Sequence, residues 1–168
     1  MKKVLFVLLI LVLALPVFAA PKTYDVKSFD AFNFFTDKKV NADIFKDYDV
    51  TMVNFFTTTC VYCMCELDSL GQVKQRMPEG CNIIAVCADA YDFGEALEDV
   101  SNAFTPDFML LKMTGDQLAK VPFVIGYPTT LYVDRNGNIL EVVYEPLNHP
   151  TEMYLEKMNE SLAKVRGK

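Results

Sequence analysis

Two cysteines three residues apart, Cys60 and Cys63, stand between a strand-like run at 51–56 and a segment of helical character at 60–75. A Cys-x-x-Cys pair on the opening turn of a helix constrains fold and chemistry together. The first thiol lies beside unpaired backbone N–H groups and the positive end of the helix macrodipole, which favours its thiolate. Thiolate is the form that attacks disulfides, so the pair can cycle between dithiol and disulfide. It carries the electrons itself, and no cofactor is expected. Competing uses are weaker. Zinc needs a second close pair of soft ligands, whereas Cys65, Cys81 and Cys87 lack that spacing and the single histidine, His149, is distant. Met64 follows Cys63, which excludes Cys-x-x-Cys-His haem attachment. An inert disulfide remains as an alternative.

The surrounding pattern is that of one α/β unit. Residues 51–56 are β-branched and aromatic and short enough for a buried strand. Met77-Pro-Glu-Gly80 ends the helix, and a second buried-strand run follows at 82–88. Strand, helix, strand with short links predicts a right-handed βαβ unit with parallel strands. A short strand or hairpin is expected in 21–50 around the turn-like Thr36-Asp-Lys-Lys39, a helix at 92–104, a strand at 108–113 and a short helix or turn at 115–121. The runs 129–133 and 139–144 flank Asp134-Arg-Asn-Gly-Asn138, a hairpin pattern with Gly137 in the turn. An amphipathic helix at 152–165 closes the chain, with Met153, Leu155, Met158 and Leu162 available to pack. At 168 residues and 52% apolar content, one domain over 20–168 accounts for this pattern.

The first 19 residues read as an export signal. Lys2 and Lys3 precede an apolar run from Val4 to Leu15, Pro16 breaks it, and Val17-Phe-Ala19 offers a small-residue cleavage site. That run is well short of the roughly 20 residues a membrane-spanning helix needs. Cleavage is the preferred reading and an uncleaved tether the alternative. Export places the cysteines in a periplasmic or otherwise extracytoplasmic compartment, where disulfides persist. Loss of the two lysines takes the net charge from −6 to −8, an acidic balance that argues against nucleic acid as partner.

Two segments carry a family resemblance: Asn54-Phe-Phe-Thr-Thr-Thr-Cys60-Val-Tyr-Cys63-Met-Cys-Glu66 and Gly126-Tyr-Pro128-Thr-Thr-Leu-Tyr-Val-Asp134-Arg-Asn-Gly137. With an asparagine six residues before the first cysteine, a glutamate three after the second, and Gly-x-Pro-Thr before a strand, the chain resembles extracytoplasmic thioredoxin-like proteins of the TlpA/ResA branch. The resemblance runs from about Phe29 to the C-terminus. It implies a thioredoxin-like fold: a central mixed β-sheet flanked by helices, with an N-terminal strand or hairpin extension and an inserted βα element.

Within that resemblance Cys60 is the candidate nucleophile and Cys63 the thiol that resolves the mixed disulfide. Glu66, about one helical turn beyond Cys63, can lean back toward the pair. If buried it would hold its proton more tightly and could shuttle the proton Cys63 loses, the role the resemblance implies for it. The alternative is a solvated helix acid. On pattern alone Pro128 reads as a trans loop proline. The resemblance implies instead a cis-proline facing the cysteines, with Tyr127 and Pro128 shaping a groove where a substrate strand pairs with backbone. Pro106 and Pro122 read as plain loop prolines.

If 82–88 runs parallel to 51–56, Cys87 lies level with the start of the redox helix and Cys81 at the opposite end, too far apart to pair. Cys87 and Cys65 are the best-placed second pair. The favoured reading makes Cys87 a small core residue and Cys65 a helix residue with a modestly reactive thiol. His149 reads as a loop or capping residue, and the methionines as core filler. Departures from the family pattern cluster at the site: Thr59 replaces the usual tryptophan, Val61-Tyr62 the usual x-Pro, and Met64-Cys65 residues that are often basic. They bear on redox poise and on the direction of electron flow.

The resulting expectation is an exported thiol–disulfide oxidoreductase that reduces disulfides in extracytoplasmic proteins and is recharged by a membrane thiol donor. The resemblance offers cytochrome c biogenesis as one context. Alternatives are a disulfide oxidase or isomerase and a soft-metal (copper) chaperone using the same cysteines. A peroxidase has no specific sign in the sequence. Oligomeric state is left open.

Overall fold

The structure, a computed structural model, describes residues 24–89, 98–99, 102, 108–144 and 150–167. The expected export signal at 1–19, Pro106, His149 and most of the expected helix at 92–104 lie outside the described residues; Glu98, Asp99 and Asn102 within that helix are helical. The strands are β1 (Asp30–Asn33), β2 (Lys39–Asn41), β3 (Val50–Phe56), β4 (Cys81–Cys87), β5 (Met109–Lys112), β6 (Thr129–Asp134) and β7 (Ile139–Val143). The helices whose bounds lie within the described residues are α1 (Val61–Arg76), α2 (Gly115–Leu118) and α3 (Pro150–Arg166), with a 3-10 turn at Ala42–Phe45.

Among the described residues these strands join one mixed sheet in the order β2-β1-β5-β4-β3-β6-β7. Parallel β3 and β4, linked through α1, form the expected βαβ unit; β6 is antiparallel to β3, and β7 to β6. The β1–β2 hairpin is the N-terminal extension, and β5, parallel to β4, joins it to the centre. This is a thioredoxin-like α/β fold.

Every residue of β3 is buried, as its apolar, β-branched and aromatic run requires of a strand covered on both faces. Alternate side chains serve two cores. Val50, Met52 and Phe56 pack with Ile83, Ala85 and Tyr132 against Leu67, Leu70 and Val73 of α1 and Leu155, Met158 and Leu162 of α3. Val53, Phe55, Ile84 and Val86 face the other way, onto Phe29, Phe45 and Val121.

Helix α1 ends where Pro78 drives the preceding residue out of the helical region, leaving Met77 extended at ψ 148°. Gly80 turns the chain into β4 at φ 84°, and a Cβ there would lie 2.8 Å from Asp49 Oδ2 and from Arg166 Nη2. Arg166 Nε and Nη2 donate to that Asp49 oxygen at 3.0 and 2.7 Å, and Arg135 pairs with the other, so the end of α3 is tied to the start of β3.

One packing expectation is corrected on α3. The buried residues are Thr151, Tyr154, Leu155, Met158, Ser161 and Leu162, and Met153 is only partly buried. Residues 153 and 155 are about 200° apart on a helix and cannot share a face, so Tyr154 takes the inward position. Arg76 clamps Glu152 through two hydrogen bonds, at 2.7 and 3.0 Å, fixing the end of α1 against the start of α3.

Candidate active site

Register brings the loops that carry the expected site residues to one end of the central strands. Phe56, the last residue of β3, pairs with Cys87, the last of β4, and Phe55 pairs with Thr129, the first of β6. The loop to Cys60 and the loop through Pro128 therefore lie at the same end of the sheet. The Tyr127–Pro128 peptide is cis, as the resemblance implied and the pattern alone did not. Pro128 is buried, and Thr129 Oγ1 donates to the Gly126 carbonyl at 2.7 Å, closing the loop over it.

Cys60 is the N-cap of α1, in an extended conformation, and its Sγ accepts from the Cys63 backbone N–H at 3.2 Å. A sulfur thus fills the capping place usually taken by an oxygen and sits among the free amides at the positive end of the helix. Cys60 and Cys63 are joined as a disulfide, with Cα atoms 5.2 Å apart. The two sulfurs are unequal in access: Cys63 is 2% exposed, while Cys60 is partly open at the rim. Three exposed apolar residues flank the site, Val61 (73%) and Tyr62 (65%) in the first turn of α1 and Ile125 (84%) in the loop before Pro128.

Glu66 is 4% exposed, which excludes a solvated helix acid. The Tyr154 hydroxyl donates to its Oε2 at 2.7 Å, and the Tyr132 hydroxyl donates to the Tyr154 carbonyl at 3.2 Å. Asn54 Nδ2 donates to Thr130 Oγ1 at 2.9 Å from the neighbouring strand. These polar groups form a buried cluster beneath the redox helix, each satisfied as burial demands. Burial, then the neighbouring Glu66, hold the Tyr154 phenol well above its ordinary value, so it stays a neutral donor.

A second cluster was not anticipated. Asp89, just beyond β4, accepts the Thr58 backbone N–H on both carboxylate oxygens at 3.0 Å, the Thr58 hydroxyl at 2.9 Å and the Cys87 thiol at 3.0 Å. Burial first, then Asp89 and Cys87, raise the half-buried Tyr127 phenol. The sequence signal was an acid two residues after a buried strand, and its partner 31 positions away could not be read from it.

The remaining cysteines are free, Cys65 exposed and Cys81 and Cys87 buried. Cys81 and Cys87 stand at opposite ends of β4, and Cys87 is a core residue, as expected. Burial pushes the Cys81 thiol up to about 11, and burial with the Asp89 hydrogen bond pushes Cys87 higher still.

Residues 27–159 match the Redoxin family. The chain is 28% identical over 123 residues to the thiol-disulfide oxidoreductase ResA of Bacillus thuringiensis subsp. konkukian, covering 72% of this chain and 69% of that protein. Among solved structures, a putative thiol:disulfide interchange protein DsbE from Chlorobium tepidum superposes with TM-score 0.71 at 20% identity, covering 84% of this chain and 97% of that one. A secreted Mycobacterium tuberculosis disulfide oxidoreductase superposes with TM-score 0.62 at 18% identity, covering 82% and 96%. The chain belongs to the Redoxin family and is a thioredoxin-like thiol–disulfide oxidoreductase of the TlpA/ResA type.

Proposed function

We propose that the protein works as an exported reductant of disulfides in extracytoplasmic proteins. In the reduced state the Cys60 thiolate attacks one sulfur of a substrate disulfide; a Cys60–substrate bond forms, the substrate S–S bond breaks, and one substrate thiolate leaves. Cys63, deprotonated, then attacks the Cys60 sulfur, re-forming the Cys60–Cys63 disulfide and releasing the second substrate thiolate. The substrate gains two electrons and the protein loses two. Buried Glu66 accepts the Cys63 proton, since withdrawal from water makes a carboxyl a better proton holder. Tyr127 and Pro128 line the place where an extended substrate segment lies beside Cys60.

The observation that carries the reducing direction is the charge around Cys60. The stretch 57–66 contains no Lys, Arg or His. Strongly oxidising pairs are oxidising because their reduced thiolate is stabilised. Here the helix terminus is the one stabilising feature on that stretch, and the dithiol gives up its electrons readily. The N-terminal signal-like segment supports an extracytoplasmic site of action. In that compartment the oxidised pair has to be recharged, by a membrane-embedded thiol donor.

Equilibration with glutathione or dithiothreitol buffers tests this reading. A reduction potential below about −200 mV is expected; one near the roughly −120 mV of a strong oxidant would assign the protein to disulfide formation instead.

A further inference from the structure

We propose that Asp89 is a positioning residue for Cys60, acting through Thr58; the inference rests on the disulfide-exchange reading above. Three residues, Thr57, Thr58 and Thr59, connect β3 to the nucleophile. A three-residue link with no anchor would let the Cys60 sulfur wander. The middle one is held on both its backbone N–H and its hydroxyl by a single carboxylate two residues beyond β4. That carboxylate is itself fixed from the core side by the Cys87 thiol. Turn bonds complete the anchorage: Cys60 N–H donates to Thr57 O at 3.2 Å, and Ala88 N–H to Phe56 O at 2.9 Å. The Asp89 charge is also felt by Tyr127 beside the cis-proline, whose phenol is raised by burial first and then by Asp89.

Attack on a disulfide requires the nucleophilic sulfur to meet the S–S bond nearly end-on, whereas alkylation by a small mobile reagent is less demanding. Asp89 therefore matters for the first and less for the second.

The experiment uses the full chain carrying Cys63→Ser, so that the Cys60 step is seen alone. Mixed-disulfide formation with oxidised glutathione and alkylation by iodoacetamide, both read at Cys60 by peptide mass spectrometry, are followed up to the pH where each rate levels off. Asp89→Ala is expected to lower the plateau rate with the disulfide about tenfold or more, and with iodoacetamide less than about threefold. Asp89→Asn, which keeps an acceptor oxygen for the Thr58 N–H, recovers part of the loss. Thr58→Val, which leaves the Asp89 charge in place, falls in the same direction by less, and adds nothing to Asp89→Ala because the two act as one unit. These two variants also decide the matter if Asp89→Ala does not fold. A folded Asp89→Ala protein whose disulfide rate stays within about twofold of its parent overturns the inference alone. So does a pure shift of the pH midpoint with both plateaus intact, which would mean that Asp89 acts by its charge. A parent that forms no mixed disulfide on Cys60 overturns the exchange reading, and this inference with it.

Discussion

The Tyr154 hydroxyl donates a 2.7 Å hydrogen bond to Glu66 Oε2, from the helix that closes the chain to the helix that carries the redox pair. The two residues are 88 positions apart, and the packing of α1 on α3 brings them together. Tyr154→Phe keeps the ring and removes the donor, weakening the satisfaction of a buried carboxyl. Urea unfolding should show a loss of about 1–3 kcal/mol. Unchanged stability would mean that the bond contributes nothing net.

Glu66→Gln separates proton transfer from packing. It preserves size and hydrogen-bonding capacity, but an amide cannot take the Cys63 proton. Release of substrate from the Cys60 mixed disulfide should slow on the order of 10²-fold, with the first attack by Cys60 little changed. Stopped-flow resolution of the two steps checks this, and equal slowing of both would remove Glu66 from the proton path.

Thiol burial makes a labelling prediction. With the Cys60–Cys63 disulfide intact, brief iodoacetamide treatment at neutral pH should add one group, on exposed Cys65. Cys81, raised to about 11 by burial, and Cys87, raised further, should stay unmodified until the protein unfolds. Peptide mapping distinguishes the sites; modification of Cys87 in the folded protein would contradict the packing around Asp89.

Asp49 gives the pH prediction. Hydrogen bonds from Arg166, then from Arg135, hold its carboxyl below its ordinary value of 3.8. A group whose pKa is depressed by folding stabilises the protein above its unfolded value. That contribution fades as pH falls through 3.8 toward the lower folded value. The Tm difference between the wild-type protein and Asp49→Asn should thus be constant at neutral pH and shrink on acidification. A difference that grows with acid would reverse the sign and refute the assignment.

Much of the scaffold was legible because local chemistry dictates it. The apolar run of β3, Pro78-Glu-Gly80 after α1 and Gly137 in the β6–β7 turn each act within a few residues. Pro150 marks the first turn of α3, where its missing N–H is harmless, so the helix begins two residues before the expected 152. The cis peptide at Pro128 followed from family resemblance and not from pattern, since most X–Pro bonds are trans. What stayed hidden was long-range and polar. Tyr154 on Glu66 and Thr58 on Asp89 are pairings of common residue types whose meeting depends on helix rotation and strand register.

In the proposed exchange Cys60 attacks and Cys63 resolves. That division of roles is tested most directly by mixing reduced Cys63→Ser and Cys60→Ser proteins separately with an oxidised peptide and determining intact mass and the modified site. A stable peptide adduct on Cys60 in the first protein, with Cys63 in the second slow to react behind its burial, is the predicted result. No adduct on Cys60, or equally fast capture by Cys63, would contradict the account.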